Sequence, residues 1–314
     1  MSATTFSPRS GLTWTVLRLH RGSIWLWALY VAVTAGLLLW AWGPGTSGLG
    51  IIGVCSPKVA TGCVAEGDTA GAYHYVLQFT DVLVSFLPAA AAVYAGGTLI
   101  GQELERGTAQ LMWTQSVSPV RWLTTKLVLP ALLLVAGTGV LVLLRRAVAA
   151  QTPHLTDNQW FTGSPGALSP VVMAMPLLGL ACGALAALLK RRALTSAVIG
   201  LVLTVALGTL VGLVRSRLWP TETVFGSVEH GYPGFVGEVV SEGAVTGSGA
   251  HVADPMCGGD RACLVDHNVT GFYTEGHPPS HFWPLQLVET GLVLALTAAV
   301  VALTYRTLRK RVAV

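Results

Sequence analysis

The chain has 314 residues, of which 52% are hydrophobic and 11% charged, with a mean hydropathy of +0.61. A water-soluble domain of this length carries about a quarter charged residues, so the composition excludes an ordinary soluble enzyme and points to a protein built for a bilayer. The formal net charge is +4, with 15 Arg against 4 Lys, and where those charges fall says more than their sum.

In residues 1–23, Ser10 can cap a helix whose Leu12, Val16 and Leu19 lie at helical spacing, with Trp14, Arg18 and Arg21 as interfacial anchors. This reads as an amphipathic helix on the inner leaflet, or equally as the solvated basic flank of the first span. The apolar run 24–42 lacks a small-residue cleavage site and reads as a retained anchor, not a signal peptide. A bilayer core of roughly 30 Å needs about 20 apolar residues as helix. Six segments meet this: 24–42, 82–100, 127–144, 168–189, 193–214 and 284–305. Backbone polar groups in lipid must be satisfied internally, which makes these segments helices.

Charge sets the orientation. The termini, the segment 101–126 and the turn 190–192 hold 13 of the 19 basic residues in short stretches, and only Glu103 and Glu105 among the acids. By the positive-inside rule that side is cytoplasmic, with both termini inside. Cys55, Cys63, Cys257 and Cys263 then fall outside, where two disulfides are expected, and the local pairing is favoured by small loop closure. Cys182 lies within a span. Residues 43–81 form a Gly- and Thr-rich outer loop whose end, 73–81, leads helically into the second span. Residues 145–167 form a second outer loop that starts at Arg145 and Arg146.

The segment 101–126 interrupts two apolar runs with helix punctuation. Glu103, Glu105 and Arg106 extend the second helix, and Gly107 is suited to end it in the left-handed conformation. Thr108 is placed to cap a short helix that holds Gln110 and Gln115. Ser118 followed by Pro119 starts a third helix through Arg121 and Lys126. A short helix held between two breaks is a lever: force on it moves both flanking spans.

The chain resembles the ABC-2 type permeases at Glu103, Glu105, Gly107, Thr108, Ser118, Pro119, Arg121 and Lys126. The stretches WTQSVSPVRWLTTKL (113–127) and HPPSHFWPLQLVETG (277–291) are similar to the actinobacterial branch. The resemblance implies an exporter subunit working with a second permease subunit, a homodimer in the first instance, and with two copies of an ABC ATPase. Glu103, Glu105, Arg106, Gly107, Thr108, Gln110, Gln115, Ser118, Pro119 and Arg121 would couple it to that ATPase. ATP and Mg would be held by the partner, since no G-x-x-x-x-G-K-[ST] loop occurs in this chain. The other partner is the bilayer of the plasma membrane; no nucleic acid is implied. Cargo is expected to be a lipophilic drug, lipid or peptide, moved outward by alternating access. The outer loop before the last span, about 70 residues, is longer than is usual in the family.

Other residues have plainer readings. Glu289, the sole acid well inside a span, is a candidate cation, proton or gate site, but pairing with Arg145, Arg146, Arg215 or Arg217 explains it better. His251, Cys257, Cys263, Asp266, His267, His277 and His281 match no metal-ligand spacing closely. Trp40, Trp42, Trp160, Trp219 and Trp283 near the outer boundaries and Trp25, Trp27 and Trp122 near the inner ones form an aromatic belt. Glycines at four-residue spacing, Gly97/Gly101, Gly179/Gly183 with Ala187, and Gly208/Gly212, suit close helix packing within the subunit.

The expected fold is an all-α polytopic membrane protein with six transmembrane helices, both termini cytoplasmic, an N-terminal interfacial helix, and a sizeable extracellular loop between the fifth and sixth helices. Its parts are 1–23; 24–214 with the coupling segment 101–126; the loop subdomain 215–283; 284–305; and the tail 306–314. The competing function is a membrane sensor or accessory protein whose extracellular loop binds a ligand. An intramembrane enzyme lacks paired catalytic groups within the spans.

Overall fold

A computed structural model describes residues 18–52, 64–115, 117–152 and 169–312. Six helical segments are long and apolar enough to cross a membrane: Arg21–Ser47, Ala70–Glu105, Pro119–Gln151, Val171–Lys190, Ala193–Arg215 and Pro279–Val312. The chain is a multi-pass membrane protein, largely helical. Most of the interfacial segment, with Leu12, Trp14 and Val16, lies outside the described residues.

Helix α1 (Arg21–Trp42) is followed by the short α2 (Pro44–Ser47) and a two-stranded ribbon, β1 (Gly50–Ile52) with β2 (Val64–Glu66). The second crossing is segmented. It comprises α3 (Ala70–Ser85), α4 (Leu87–Tyr94), a π-helical turn (Ala95–Leu99) and α5 (Gly101–Glu105). Pro88 stands in the first turn of α4, where its missing N–H costs least. After α6 (Thr108–Gln115), α7 runs unbroken for 33 residues, Pro119–Gln151. At 1.5 Å per residue that is about 50 Å, well beyond a bilayer core. Arg145 and Arg146 therefore lie on the last turns of α7, not in a loop.

Helix α8 (Val171–Lys190) is the hub. It is apolar all round, and unlike the other crossings, which are also apolar, it is buried on nearly every side by the rest of the chain. It packs against α4 with the π turn, α7, α9 (Ala193–Arg215) and the last helix, α11 (Phe282–Val312). A Cβ at Gly179 would overlap the Pro88 carbonyl, and one at Gly183 the Ala92 carbonyl, so backbones touch at both positions. Gly101 also lies close to the Ala193 backbone, at 3.0 Å from where a Cβ would stand, whereas Gly212 faces open space. The intramolecular role expected of the small residues thus holds for α8 and the end of the second crossing, not for Gly212. Helix α1 sits to one side, against α7 and α3.

The segment between α9 and α11 departs from an all-helical chain. It folds into a four-stranded antiparallel sheet, ordered β3 (Glu222–Ser227), β6 (Val269–His277), β4 (Glu238–Thr246), β5 (His251–Val252). Helix α10 (Arg261–Asp266) lies between β5 and β6. Its Leu264 packs with Ala244, Val269 and Phe272 into a small core of its own. The Gly-rich middle of this segment contributes to β4 and β5. Alternation of Val, Phe, Tyr and Thr with Glu and Ser is a strand signal, and the expectation of an all-helical chain passed over it.

Candidate functional site

Punctuation in the sequence becomes geometry at one end of the bundle. Gly107 takes φ +73° and turns the chain between α5 and α6, a conformation that costs Gly little and a Cβ-bearing residue more. The Thr108 hydroxyl donates back to the Glu103 carbonyl at 3.2 Å, so it closes the turn behind it. Ser118 Oγ accepts from the Arg121 N–H at 3.3 Å, with Pro119 at the first position of α7. On α6, Ala109 is buried, and Met112 and Trp113 pack on the core formed by Leu99, Ile100, Leu123 and Leu188. Gln110, Leu111, Thr114 and Gln115 stay exposed, as does Arg106. This short helix is seated on one face and open on the other.

Beneath α6 lies a polar cluster that joins three crossings. Lys126 Nζ donates to Glu103 Oε1 at 2.5 Å, and Trp122 Nε1 donates to Glu103 Oε2 at 3.0 Å. Lys126 is 2% exposed and Trp122 1%. Trp122 is therefore a core residue and not part of an interfacial belt. Glu103 is likewise turned inward, leaving Glu105 and Arg106 as the exposed charges of α5. His20, at the start of α1, sits with Nε2 2.9 Å from Lys126 Nζ. Burial, reinforced by the Lys126 charge and opposed by Glu103, lowers the His20 pKa to about 4. The ring is neutral at pH 7 and accepts the lysine proton at Nε2. A charged pair this well buried is costly to open one partner at a time.

Glu105 makes a different tie. Its Oε2 accepts from the Ala193 N–H at 2.9 Å, at the start of α9. Arg192, the N-cap residue of α9, supplies no side-chain cap of its own. A carboxylate from α5 thus fills the place of a capping group, where the helix dipole favours negative charge. On the same end of the bundle, Arg311 Nη2 donates to the Leu189 carbonyl at 3.0 Å, and Thr124 and Tyr305 share a hydroxyl contact at 2.7 Å. None of these long-range ties had a local sequence signature. A carboxylate facing a main-chain N–H 88 residues away leaves no spacing to read.

At the far end, Glu289 is buried and its Oε2 lies 3.3 Å from Arg215 Nε, while Arg215 Nη2 is 3.3 Å from Glu238 of β4. The pairing expected for Glu289 is present, with Arg215 as the partner and a second carboxylate beside it. Arg145 pairs with Asp81 at 3.3 Å, and Arg146 lies over the Trp283 ring at 4.4 Å. Cys257 and Cys263 form a disulfide that encloses the start of α10. Cys55 and Cys63 lie outside the described residues. The histidines of this segment have other company: His251 stacks on Tyr273, His277 Nε2 contacts the Ser216 carbonyl, and His281 faces Glu222.

None of the curated proteins and none of the solved structures matches the chain. A family model, described as ABC-2 membrane transporter related, matches residues 28–215, more than half of the chain. The match takes in the first five crossings and the whole segment from Glu103 to Lys126. The chain belongs to that family: it is an ABC-2 type permease, the membrane component of an ABC transporter that works with an ATPase partner.

Proposed function

We propose that this permease exports a lipophilic cargo by alternating access, with α6 as the element on which a separate ATPase pushes. The observation that carries the reading is the seating of α6. One face rests on the core, the other offers Gln110, Leu111, Thr114 and Gln115, and the helix that leads into it, α5, is tied to both α7 and α9. Gln110 and Gln115 serve as direct contacts. Glu103 serves from beneath, holding the lever to α7, and Glu105 holds it to α9. Gly107 and the Ser118–Pro119 start are the hinges, with Arg106, Thr108 and Arg121 around them. On this reading the basic end faces the cytoplasm of a cell whose plasma membrane holds the complex. Two permease subunits, most simply two copies of this chain, stand over two ATPase copies, which bind the ATP and Mg.

The test is co-purification with the partner ATPase from cells that express both. Replacing Leu111 and Gln115 by Glu puts two charges on the exposed face without touching the core. The pair is expected to release the ATPase while the permease remains monodisperse. Retention of a fully active ATPase on that variant rules out α6 as the docking helix.

A further inference from the structure

We propose that the basic end carries a headgroup site for an anionic phospholipid, formed where the α8–α9 turn meets the end of α11. Lys190, Arg191 and Arg192 occupy the turn and are all exposed; Arg309, Lys310 and Arg311 close α11 and are exposed as well. The two triplets are 117 or more residues apart in sequence, and the bond from Arg311 to the Leu189 carbonyl brings them together. Among the described residues, none of the six is in a salt bridge. The acid at this turn, Glu105, is held by the Ala193 N–H.

Depth makes the ligand a lipid. Helix α8 has 20 residues, which at 1.5 Å each is about 30 Å, the thickness of the hydrocarbon core itself. Its last residue, Lys190, must therefore stand at the headgroup layer and not out in the aqueous phase. The Arg311–Leu189 bond fixes the end of α11 at the same level. Six exposed cations at phosphate depth match a phosphodiester in charge and position. Clusters of four to eight basic residues at a span boundary are where anionic lipids concentrate. A soluble anion would meet the same charges but gains nothing from their depth, and a protein partner is better served by α6. The inference does not depend on α6 being the docking helix.

The experiment uses the whole chain purified in detergent doped with equal phosphatidylglycerol and phosphatidylcholine, with retained lipid quantified by native mass spectrometry. The wild type is expected to retain phosphatidylglycerol preferentially. The pair Arg192→Gln with Arg309→Gln leaves the Arg191 cap conformation and the Arg311 bond in place. It is expected to lower the preference at least about fivefold, the weight of one basic residue at a charged membrane face. Lys190→Gln with Lys310→Gln should do the same. Arg217→Gln with Arg261→Gln, two exposed cations between α9 and β6, is the charge-matched control and should change it less than about twofold. Equal loss in the control, or no preference in the wild type, overturns the site. Displacement of the lipid by millimolar glycerol phosphate would make it a site for a soluble anion. Release of the ATPase by the same pairs with lipid retention unchanged would make it a protein surface.

Discussion

Lys126→Met removes the cation from the buried cluster and keeps the volume of the side chain. Glu103 then holds a charge that is mostly buried and has lost its closest partner, 2.5 Å away, retaining Trp122 as a donor. Breaking a buried pair by deleting one partner costs about 3–5 kcal/mol, and the surviving indole bond argues for about 3 here. Glu103→Gln leaves Lys126 with His20 and an amide, and its cost is of the same order. The double change, Glu103→Gln with Lys126→Met, buries no net charge and keeps an acceptor for Trp122. It should recover to within about 1–2 kcal/mol of wild type, which against two single costs of about 3 kcal/mol is a coupling of about 4 kcal/mol. Reversible unfolding in mixed micelles, titrated with a denaturing detergent, gives the four free energies. If the two single effects add to the double within about 0.5 kcal/mol, the pair is not an energetic unit and the latch between α5 and α7 does not exist.

The remaining predictions concern other ties. The folded His20 pKa of about 4 lies below the ordinary 6.5, so the unfolded chain binds the proton first. Stability should therefore fall as pH drops from 6.5 towards 4 and be insensitive to this group above 6.5, and His20→Gln should flatten that slope in the same micelle titration. Arg215→Met should loosen the sheet more than Glu289→Gln, because it leaves Glu238 and Glu289 together without their shared cation; proteolysis between β3 and β6 reports it. Replacing Cys257 and Cys263 by Ser opens a loop with a sequence separation of 6, which loop-closure entropy values at about 2 kcal/mol. Proteolysis should then speed up around α10 and leave α8 untouched. Gly183→Ala should cost about 1–3 kcal/mol by overpacking against Ala92 and Ala95, and Gly212→Ala almost nothing, as read from monodisperse yield and unfolding.

What the sequence made legible was local. Six apolar runs, the Gly107 turn and the Ser118–Pro119 start depend on composition and on neighbours a few residues away, and each appears where those rules put it. Helix lengths were underestimated, because α7 and α11 carry charges past the hydrocarbon boundary and hydropathy stops at the first charge. Arg145 shows why: Asp81, 64 residues earlier, gives it a partner that allows the helix to continue. The sheet between α9 and α11 was missed for a different reason: its alternating strands are legible, but the Gly-rich turns between them gave the whole stretch the look of a loop. Glu103 was legible as an acid at the right place and illegible as a buried one. Lys126 and Trp122 lie one turn apart on α7, and only folding brings them to Glu103.

The two acids of α5 reach different helices, Glu103 to α7 and Glu105 to α9, and Glu105 offers the sharper test of the proposed coupling. Its carboxylate stands in for the N-cap of α9, a contact worth about 1 kcal/mol. That is too little to unfold the bundle, yet it is a direct hydrogen bond from α5 to the first turn of α9. Glu105→Ala should free the Ala193 amide, raising its exchange rate by about fivefold, while Glu105→Gln keeps an acceptor oxygen and should remain near wild type. In the complex with its ATPase, adding ATP should change amide exchange along 193–200 for wild type and Glu105→Gln but not for Glu105→Ala, with the ATPase still bound. Were Glu105→Ala to respond as wild type does, the push would have to reach α9 through the close packing of Gly96 and Gly101 against it, and the carboxylate would be a cap and nothing more.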